Sequence, residues 1–186
     1  MSDDYGVLTE PRTLRIERLL PGPIERLWAY LTDPEKRAKW LAGGPMELRM
    51  GGRAELEFRH AELSAETTPP EKFRSMEGGH TLKCRITACD PPRRLSYTWG
   101  EDWGEVTFEL SPRGRDVLLV VTHRGLGDRG SIASVSAGWH THLAILGDRL
   151  NDREPRGFWS TYMRLEAEYE KRLAAPLSAL AERGSG

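Results

Sequence analysis

Five histidines are the side chains of this sequence best suited to proton transfer or metal binding near neutral pH. His140 and His142 are two residues apart in a helical pattern, which turns their side chains about 200° apart and disfavours a shared metal ion. His60, His80 and His123 instead have the inward parity of predicted strands and lie near strand ends. We expect these three to meet at one rim of a sheet, where they would orient a ligand's polar group or act as an acid or base. The alternative is three solvated strand ends that share no role.

Two acidic residues are expected at the same rim. Glu101 and Asp102 lie in the turn that joins two predicted strands at that end of the sheet. Together with the histidines, they would form the polar mouth of a pocket.

Motifs for covalent or cofactor chemistry are missing from the sequence. It contains no Gly-x-Ser-x-Gly, and the glycine-rich run 125–130 lacks the strand–loop–helix context of a dinucleotide site. Cys84 and Cys89 are five residues apart, on opposite faces of a strand, which predicts two free thiols in a reducing compartment. We therefore predict no catalytic set, no metal and no cofactor.

Composition argues against several classes of function. The chain has 186 residues, with 27 basic and 28 acidic side chains and a formal charge of −1, so nothing favours nucleic acid or an anionic membrane as a partner. No apolar run approaches the roughly 18 residues of a membrane span, and the acidic N-terminus does not resemble a secretory signal. These features predict a cytoplasmic protein with one domain at 12–173, a loose lead-in at 1–11 and a mobile tail at 174–186.

Hydrophobic spacing predicts the helices that would position these residues. Apolar side chains recur at helical spacing in four segments, which are 24–31, 34–40, 131–150 and 158–173. Asp33 and Pro34 have the residue types of a helix N-cap and first turn, and Ser131 is the predicted cap of the long helix.

Apolar residues alternate in seven further segments, which predict an antiparallel meander. These strands are centred on 14–20, 46–50, 54–58, 82–86, 95–99, 106–110 and 117–121. Gly51-Gly52 is a hairpin signal because both residues accept positive φ. The segment 61–78 is predicted as a long loop or an extension of two strands, and a surface loop is favoured over a gate.

A seven-stranded sheet with one apolar face needs a cover, and the helix at 131–150 is the only predicted element long enough to provide it. A twisted sheet around one helix tends to leave a cavity between the two. The alternative is a solid core. From strand parity, helix position and aromatic content, the predicted ligand-binding residues are Trp40, Phe58, His60, His80, Leu82, Tyr97, Trp99, Phe108, Leu119, His123, Val135, Trp139 and Leu143.

Two apolar residues are expected on the opposite face of the sheet. Leu118 and Val120 have outward parity, so the last helix or a second subunit would have to cover them. The second of these alternatives predicts a homodimer.

Six short segments of the sequence carry a family resemblance. They are 18–34, which ends in Thr32-Asp33-Pro34, together with 39–41, 51–52, 106–110, 122–126 and 138–143. In combination they resemble AHSA-type proteins, the homologues of the activator of heat-shock-chaperone ATPase, within the START-like or SRPBCC superfamily. The resemblance extends over about 12–173.

This resemblance implies an α+β helix-grip fold, in which a seven-stranded antiparallel sheet wraps around a long C-terminal helix. Two short helices would follow the first strand, an extra helix would end the domain, and a hydrophobic pocket would lie under the long helix. Members of the superfamily include lipid carriers, hormone receptors and aromatase/cyclases, so the resemblance does not imply one reaction. In the eukaryotic activator this domain follows a separate N-terminal domain for which this chain has no room, so co-chaperone activity is not expected.

The sequence thus favours non-catalytic binding of a small hydrophobic molecule, lipid-like or polyketide-like, in a cavity between sheet and helix. One alternative is a cyclase or hydratase that acts on such a ligand through the rim histidines and acids. The other is a chaperone-interacting domain without a ligand.

Overall fold

A computed structural model describes residues 4–174, which form seven strands and four α-helices. The strands are β1 (Val7–Glu10), β2 (Thr13–Pro21), β3 (Arg53–Phe58), β4 (His80–Asp90), β5 (Arg94–Thr98), β6 (Glu105–Arg113) and β7 (Asp116–Arg124). The α-helices are α1 (Ile24–Thr32), α2 (Pro34–Arg37), α3 (Arg129–Leu150) and α4 (Phe158–Arg172), and two 3₁₀ helices lie at His60–Glu62 and Glu71–Met76. No described helix has the length and apolar character needed to cross a bilayer. Of the predicted tail, residues 175–186 lie outside the described part of the chain.

The strands form one antiparallel sheet in the spatial order β1-β2-β7-β6-β5-β4-β3. Strands β3 to β7 follow one another as a meander, and β2 pairs with β7 because α1 and α2 carry the chain across the sheet. Helix α3 packs against β2 and α4, while α1 packs against β6 and β7. The predicted α+β helix-grip fold, with seven strands and a long C-terminal helix, is confirmed.

The N-terminal segment differs from the prediction. Residues 7–10 were expected within a loose lead-in, but they form β1 at the edge of the sheet beside β2. The partly buried Leu8 packs against the core, and the Gly6 N–H donates a buried hydrogen bond of 2.8 Å to the Tyr169 hydroxyl. These tertiary contacts fix a segment that has no strong strand pattern of its own.

The predicted strand at 46–50 is wrong. Met46 makes only an isolated bridge, and Met50 is 73% exposed. Residues 43–47 run antiparallel to β3, where the Glu47 N–H donates to the Arg53 carbonyl at 2.8 Å, and the chain then turns at 48–50. Beyond that turn, Gly51 and Gly52 exchange two backbone hydrogen bonds of 2.8 Å with Ile86 of β4. The glycines therefore extend the pairing beside β4, and Leu48 and Met50 face solvent while Met46 packs against the core.

The helix caps follow side-chain chemistry. Asp33 accepts a hydrogen bond from the Lys36 N–H and Pro34 begins α2, as predicted. The predicted cap of α3 is wrong, because Asp128 caps that helix by accepting from the Ser131 N–H at 2.9 Å. An aspartate three residues earlier therefore adds two residues to the helix.

Helix α3 is buried on two sides. The sequence predicts one apolar stripe, but 15 of the helix's residues are buried, because the sheet covers one side and α4 the other. The partner of α4 is thus α3, whereas Leu118 and Val120 of β7 are half-buried and buried respectively. A second subunit over that face stays a prediction.

Candidate functional site

A cavity of about 440 Å³ lies between the β3–β5 side of the sheet, α3 and α4. Its lining is aromatic and aliphatic, with three imidazoles, one serine and no carboxylate or basic amine among the described residues. The lining residues are Leu41, Phe58, His60, Phe73, Met76, His80, Leu82, Trp99, Trp103, Ser134, Val135, Gly138, Trp139, His142, Phe158, Trp159 and Tyr162. A molecule held there would be bound mainly through apolar burial.

One wall of the cavity comes from the α3 positions 135, 138, 139 and 142. This i, i+3, i+4, i+7 spacing places Val135, Gly138, Trp139 and His142 on one helical face. The orientation of His142 is fixed by a hydrogen bond of 2.7 Å from its Nδ1–H to the Trp40 carbonyl. The proton must be on Nδ1, because a carbonyl can only accept a hydrogen bond. Gly138 leaves room, since a Cβ at that position would meet no atom within 4 Å.

The segment between β3 and β4, residues 59–79, folds over the cavity and is called the cover below. Phe73 stacks on Trp159 of α4 with ring centroids 5.3 Å apart, and its edge meets Tyr162 at 5.3 Å. At the surface, the Lys72 ammonium contacts the Glu166 carboxylate at 2.8 Å. The segment predicted as a surface loop therefore belongs to the cavity wall.

The cover also caps helix α4. Gly157 at the N-cap offers no side-chain acceptor, so the first N–H groups of α4 would lack partners. The Ser64 hydroxyl accepts from the Phe158 N–H at 2.9 Å, and the Glu66 carboxylate accepts from the Ser160 N–H at 2.8 Å. These remote caps lock the cover to the helix turn that carries the aromatic wall.

Three histidines surround one end of the cavity. The His60 ring centroid is 6.0 Å from His80 and 5.8 Å from His142, and Phe58 stacks on His80 at 4.8 Å. Burial, reinforced by the two neighbouring histidines, lowers the pKa of His60 to about 3. Burial likewise lowers the pKa of His142 to about 4, although the Trp40 carbonyl favours the charged form. The buried imidazoles are thus neutral at pH 7, and the described residues hold no His, Cys, Asp and Glu group arranged for a metal.

His123 lies apart from this cluster. Its Nε2–H donates to the Trp103 carbonyl at 2.8 Å, and its Nδ1 accepts from the Trp139 indole N–H at 3.0 Å. Both partners fix one tautomer, because a carbonyl only accepts and an indole N–H only donates. Burial lowers the pKa of His123, although the Trp103 carbonyl opposes that shift. His123 therefore positions Trp139, and His142 takes the third place in the predicted histidine group.

The predicted acidic mouth is also corrected. Glu101 and Asp102 are exposed in the β5–β6 turn, and neither lines the cavity. In their place Trp103, 55% exposed, lies at the opening together with His80. The turn projects its carboxylates into water because charged groups gain nothing at an apolar wall.

The structure brings seven of the thirteen predicted ligand-binding residues to the cavity. These seven are Phe58, His60, His80, Leu82, Trp99, Val135 and Trp139. The other six do not line it and are Trp40, Tyr97, Phe108, Leu119, His123 and Leu143. All six are buried in the core outside this cavity, for example Phe108 on β6 and Leu119 on β7, where α1 packs against the sheet.

Ten lining residues escaped the sequence-based prediction, and two signals in the sequence point to some of them. His142 and Gly138 follow from the i, i+3, i+4, i+7 face of α3 that already holds Trp139. Phe73 and Met76 are large apolar residues three apart in an otherwise polar segment. In α4, Phe158 and Tyr162 belong to its predicted apolar stripe, but nothing in the sequence directs that stripe towards the cavity.

The family model for Activator of Hsp90 ATPase homolog 1-like protein matches residues 21–151. This chain belongs to that family. The matched region contains the cover and the α3 wall, whereas Phe158, Trp159 and Tyr162 of α4 lie beyond it. A search of curated proteins finds no match.

Solved structures support the same fold for this AHSA-type chain. The solution structure of the protein encoded by gene BPP1335 of Bordetella parapertussis is 45% identical, with a TM-score of 0.77 over 91% of this chain and 90% of that one. CalU16 of Micromonospora echinospora is 24% identical, with a TM-score of 0.64 over 89% and 88%. EF2215 of Enterococcus faecalis, a conserved protein of unknown function, is 18% identical, with a TM-score of 0.65 over 89% and 85%.

Proposed function

We propose that this AHSA-type protein binds a small, predominantly apolar molecule in the cavity under α3 and does not convert it chemically. The observation that carries the proposal is the cavity itself, whose 440 Å³ falls within the roughly 300–1,000 Å³ of small-molecule sites. Its aromatic walls offer flat stacking surface, and no charged side chain of the described residues lines it.

The electrostatics of the lining favour binding over catalysis. A general acid or base is most effective when its pKa lies near the working pH. Burial moves the pKa of His60 to about 3 and that of His142 to about 4, so both are weak bases and are neutral at pH 7. A cyclase or hydratase would need a stronger proton acceptor at the bound molecule than His60 or His142, and burial also lowers the pKa of His80, the third imidazole of the lining.

Filling the cavity from α3 tests the proposal. In Gly138→Leu the new side chain enters the open space beside Trp139. The leucine and a bound molecule then compete for the same volume. We therefore expect the variant to bind the neutral fluorescent probe N-phenyl-1-naphthylamine about 100-fold more weakly than the wild type. The fold should persist, since leucine is a better helix former than glycine by about 0.8 kcal/mol. Fluorescence titration measures the affinity, and thermal unfolding confirms that the variant is folded.

The matched control is Gly130→Leu in the same helix. Gly130 is exposed and outside the cavity lining, so probe affinity should stay within about twofold of the wild type, as for surface changes generally. A folded Gly138→Leu protein that binds the probe as well as Gly130→Leu does would contradict the proposed site. Native mass spectrometry of freshly purified wild-type protein would give the mass of any natural ligand that copurifies with it.

A further inference from the structure

Two buried polar atoms in the cavity wall lack a hydrogen-bond partner among the described residues. They are Nδ1 of His60 and the indole Nε1 of Trp159. Both side chains are only 5% exposed, and both line the cavity. Buried nitrogens of this kind are nearly always paired in folded proteins, because leaving one unpaired destabilises the fold.

The two groups lie side by side, His60 within the cover and Trp159 in the first turn of α4. The His60 and Trp159 ring centroids are 5.4 Å apart, and the Phe158 ring lies 4.7 Å from that of His60. Among the neighbouring polar groups, His142 Nδ1–H is bound to Trp40 and the Tyr162 hydroxyl to Ser134 at 2.6 Å. His60 and Trp159 therefore form one polar spot whose buried nitrogens have no hydrogen-bond partner among the described residues.

We propose that the natural ligand carries a neutral oxygen, a hydroxyl or a carbonyl, that binds between the Trp159 indole N–H and the His60 imidazole. This inference rests on the proposed function and deepens it by naming the polar group of the ligand. The indole N–H can only donate, so the ligand atom must accept. A hydroxyl can accept from Trp159 and donate to His60 Nδ1, and a carbonyl can accept from both when Nδ1 carries its proton.

A charged ligand group fits this spot poorly. The described lining offers no lysine or arginine to pair with a carboxylate, and His60, His80 and His142 are the titratable groups closest to the spot. Charged groups of the cover are engaged outside the lining, since the Glu66 carboxylate accepts from the Ser160 N–H of α4 and Lys72 pairs with Glu166 at the surface. An anion would thus be buried without a counter-charge, which is strongly unfavourable.

The two nitrogens are shielded from solvent, so the cover must yield as the oxygen enters. Its links to α4 are the caps from Ser64 and Glu66, the Lys72–Glu166 ion pair and the stacked Phe73 ring. The Glu66 cap and the Lys72–Glu166 ion pair are exposed, and exposed ion pairs contribute little each, whereas the Ser64 cap and the Phe73 ring are partly buried. The new hydrogen bonds to the ligand would offset their loss.

Two probes of nearly equal shape test the inference, 2-naphthol and 2-methylnaphthalene. We expect the affinity ratio of naphthol to methylnaphthalene to fall about tenfold in His60→Phe and in Trp159→Phe relative to the wild type, because only naphthol loses a hydrogen bond. The His60→Phe variant keeps a ring of similar shape at the site. Trp99→Phe is the control, since it removes aromatic area from the same cavity but should leave the ratio unchanged.

The Trp159 indole proton gives a direct readout. In ¹⁵N-resolved NMR spectra, its resonance, assigned by its loss in Trp159→Phe, should move downfield with 2-naphthol and much less with 2-methylnaphthalene. Replacing 2-naphthol by 2-acetonaphthone distinguishes a hydroxyl from a carbonyl ligand, and 2-naphthoate should bind most weakly of the oxygen-bearing probes.

Equal probe ratios in wild type, His60→Phe and Trp159→Phe would overturn the polar spot while leaving the cavity proposal standing. Tightest binding of 2-naphthoate would also overturn it, because the spot would then be cationic. If neither naphthalene probe binds the wild type, the proposed function falls and this inference falls with it.

Discussion

Acidification from about pH 7.5 to about pH 5 should lower the free energy of unfolding of the ligand-free protein by about 4 kcal/mol. The cause is the pair of buried histidines in the cavity wall, His60 with a pKa of about 3 and His142 with a pKa of about 4. In the unfolded chain both would titrate near the ordinary value of 6.5. Burial also lowers the pKa values of His80 and His123, which adds to the effect in the same direction.

The sign follows from proton uptake. Between pH 6.5 and about 4 the unfolded state binds protons that the native state excludes, so stability rises with pH in this window and is lost as pH falls. Each histidine lowers the free energy of unfolding by about 1.4 kcal/mol for every pH unit below its pKa in the unfolded chain. At about pH 5 this amounts to about 2 kcal/mol for each of the two histidines. Above pH 7 neither state is protonated, and the contribution disappears.

Urea unfolding at the two pH values measures the loss of unfolding free energy on acidification. The variant His60→Phe isolates the contribution of one of the two histidines. That variant should reduce the pH-dependent loss by about 2 kcal/mol, because one titrating group has been removed. At pH 7.5 it should be no less stable than the wild type, since it replaces an unpaired buried nitrogen by carbon. An identical pH dependence in both proteins would mean that His60 is protonated in the native state.

Replacing Arg37 by methionine should destabilise the protein by about 3 kcal/mol at neutral pH, because each buried carbonyl left unpaired costs roughly 1–3 kcal/mol. The Arg37 side chain is fully buried, and its guanidinium donates to the carbonyls of Thr32, Ala42, Gly43 and Gly44. Relief from burying a charge recovers part of that cost, although methionine satisfies none of the four carbonyls. Thermal and urea unfolding measure the change.

Two companion variants separate hydrogen-bond geometry from charge. Arg37→Lys keeps the charge, but one ammonium cannot reach four carbonyls. Its free energy of unfolding should therefore lie between those of the wild type and Arg37→Met. Lys36→Met changes an exposed neighbouring cation to the same residue and should alter stability by less than about 0.5 kcal/mol. If Arg37→Met were as stable as Lys36→Met, these carbonyls would have other partners in solution.

Replacing Arg37 by methionine should also weaken binding in the cavity. Arg37 holds the chain that follows α2, and Leu41 in that chain lines the cavity. The adjacent Trp40 provides the carbonyl that orients His142. Weaker probe binding in Arg37→Met, measured at a temperature where the variant is still folded, would show this coupling.

Local pattern was sufficient for most of the fold. Alternation along β4 to β7 gave the inward residues Leu82, Tyr97 and Phe108 correctly, because side chains on a strand alternate faces whatever the strand pairs with. The caps at Asp33-Pro34 followed from local chemistry as well. Alternation failed at 48–50, because the chain turns there before entering β3, which leaves Leu48 and Met50 exposed.

The limits of the pocket depended on packing between distant segments. Strand parity cannot distinguish Trp99, which lines the cavity, from Phe108, which fills the core, since both point inward. The difference arises because α1 fills the space over β6 and β7, while the space beside β3 to β5 is left to the cover and α4. Periodicity within one element contains no information about this division.

The sequence by itself determined the sheet, the long helix across it and the family, because hydrophobic period and short motifs are local properties of the chain. Only the tertiary structure decided that Phe73 and Trp159 close the cavity and that His142, instead of His123, joins His60. The His60–His142 and Phe73–Trp159 contacts join residues 82 and 86 positions apart in the sequence, and their formation depends on how whole elements fit together.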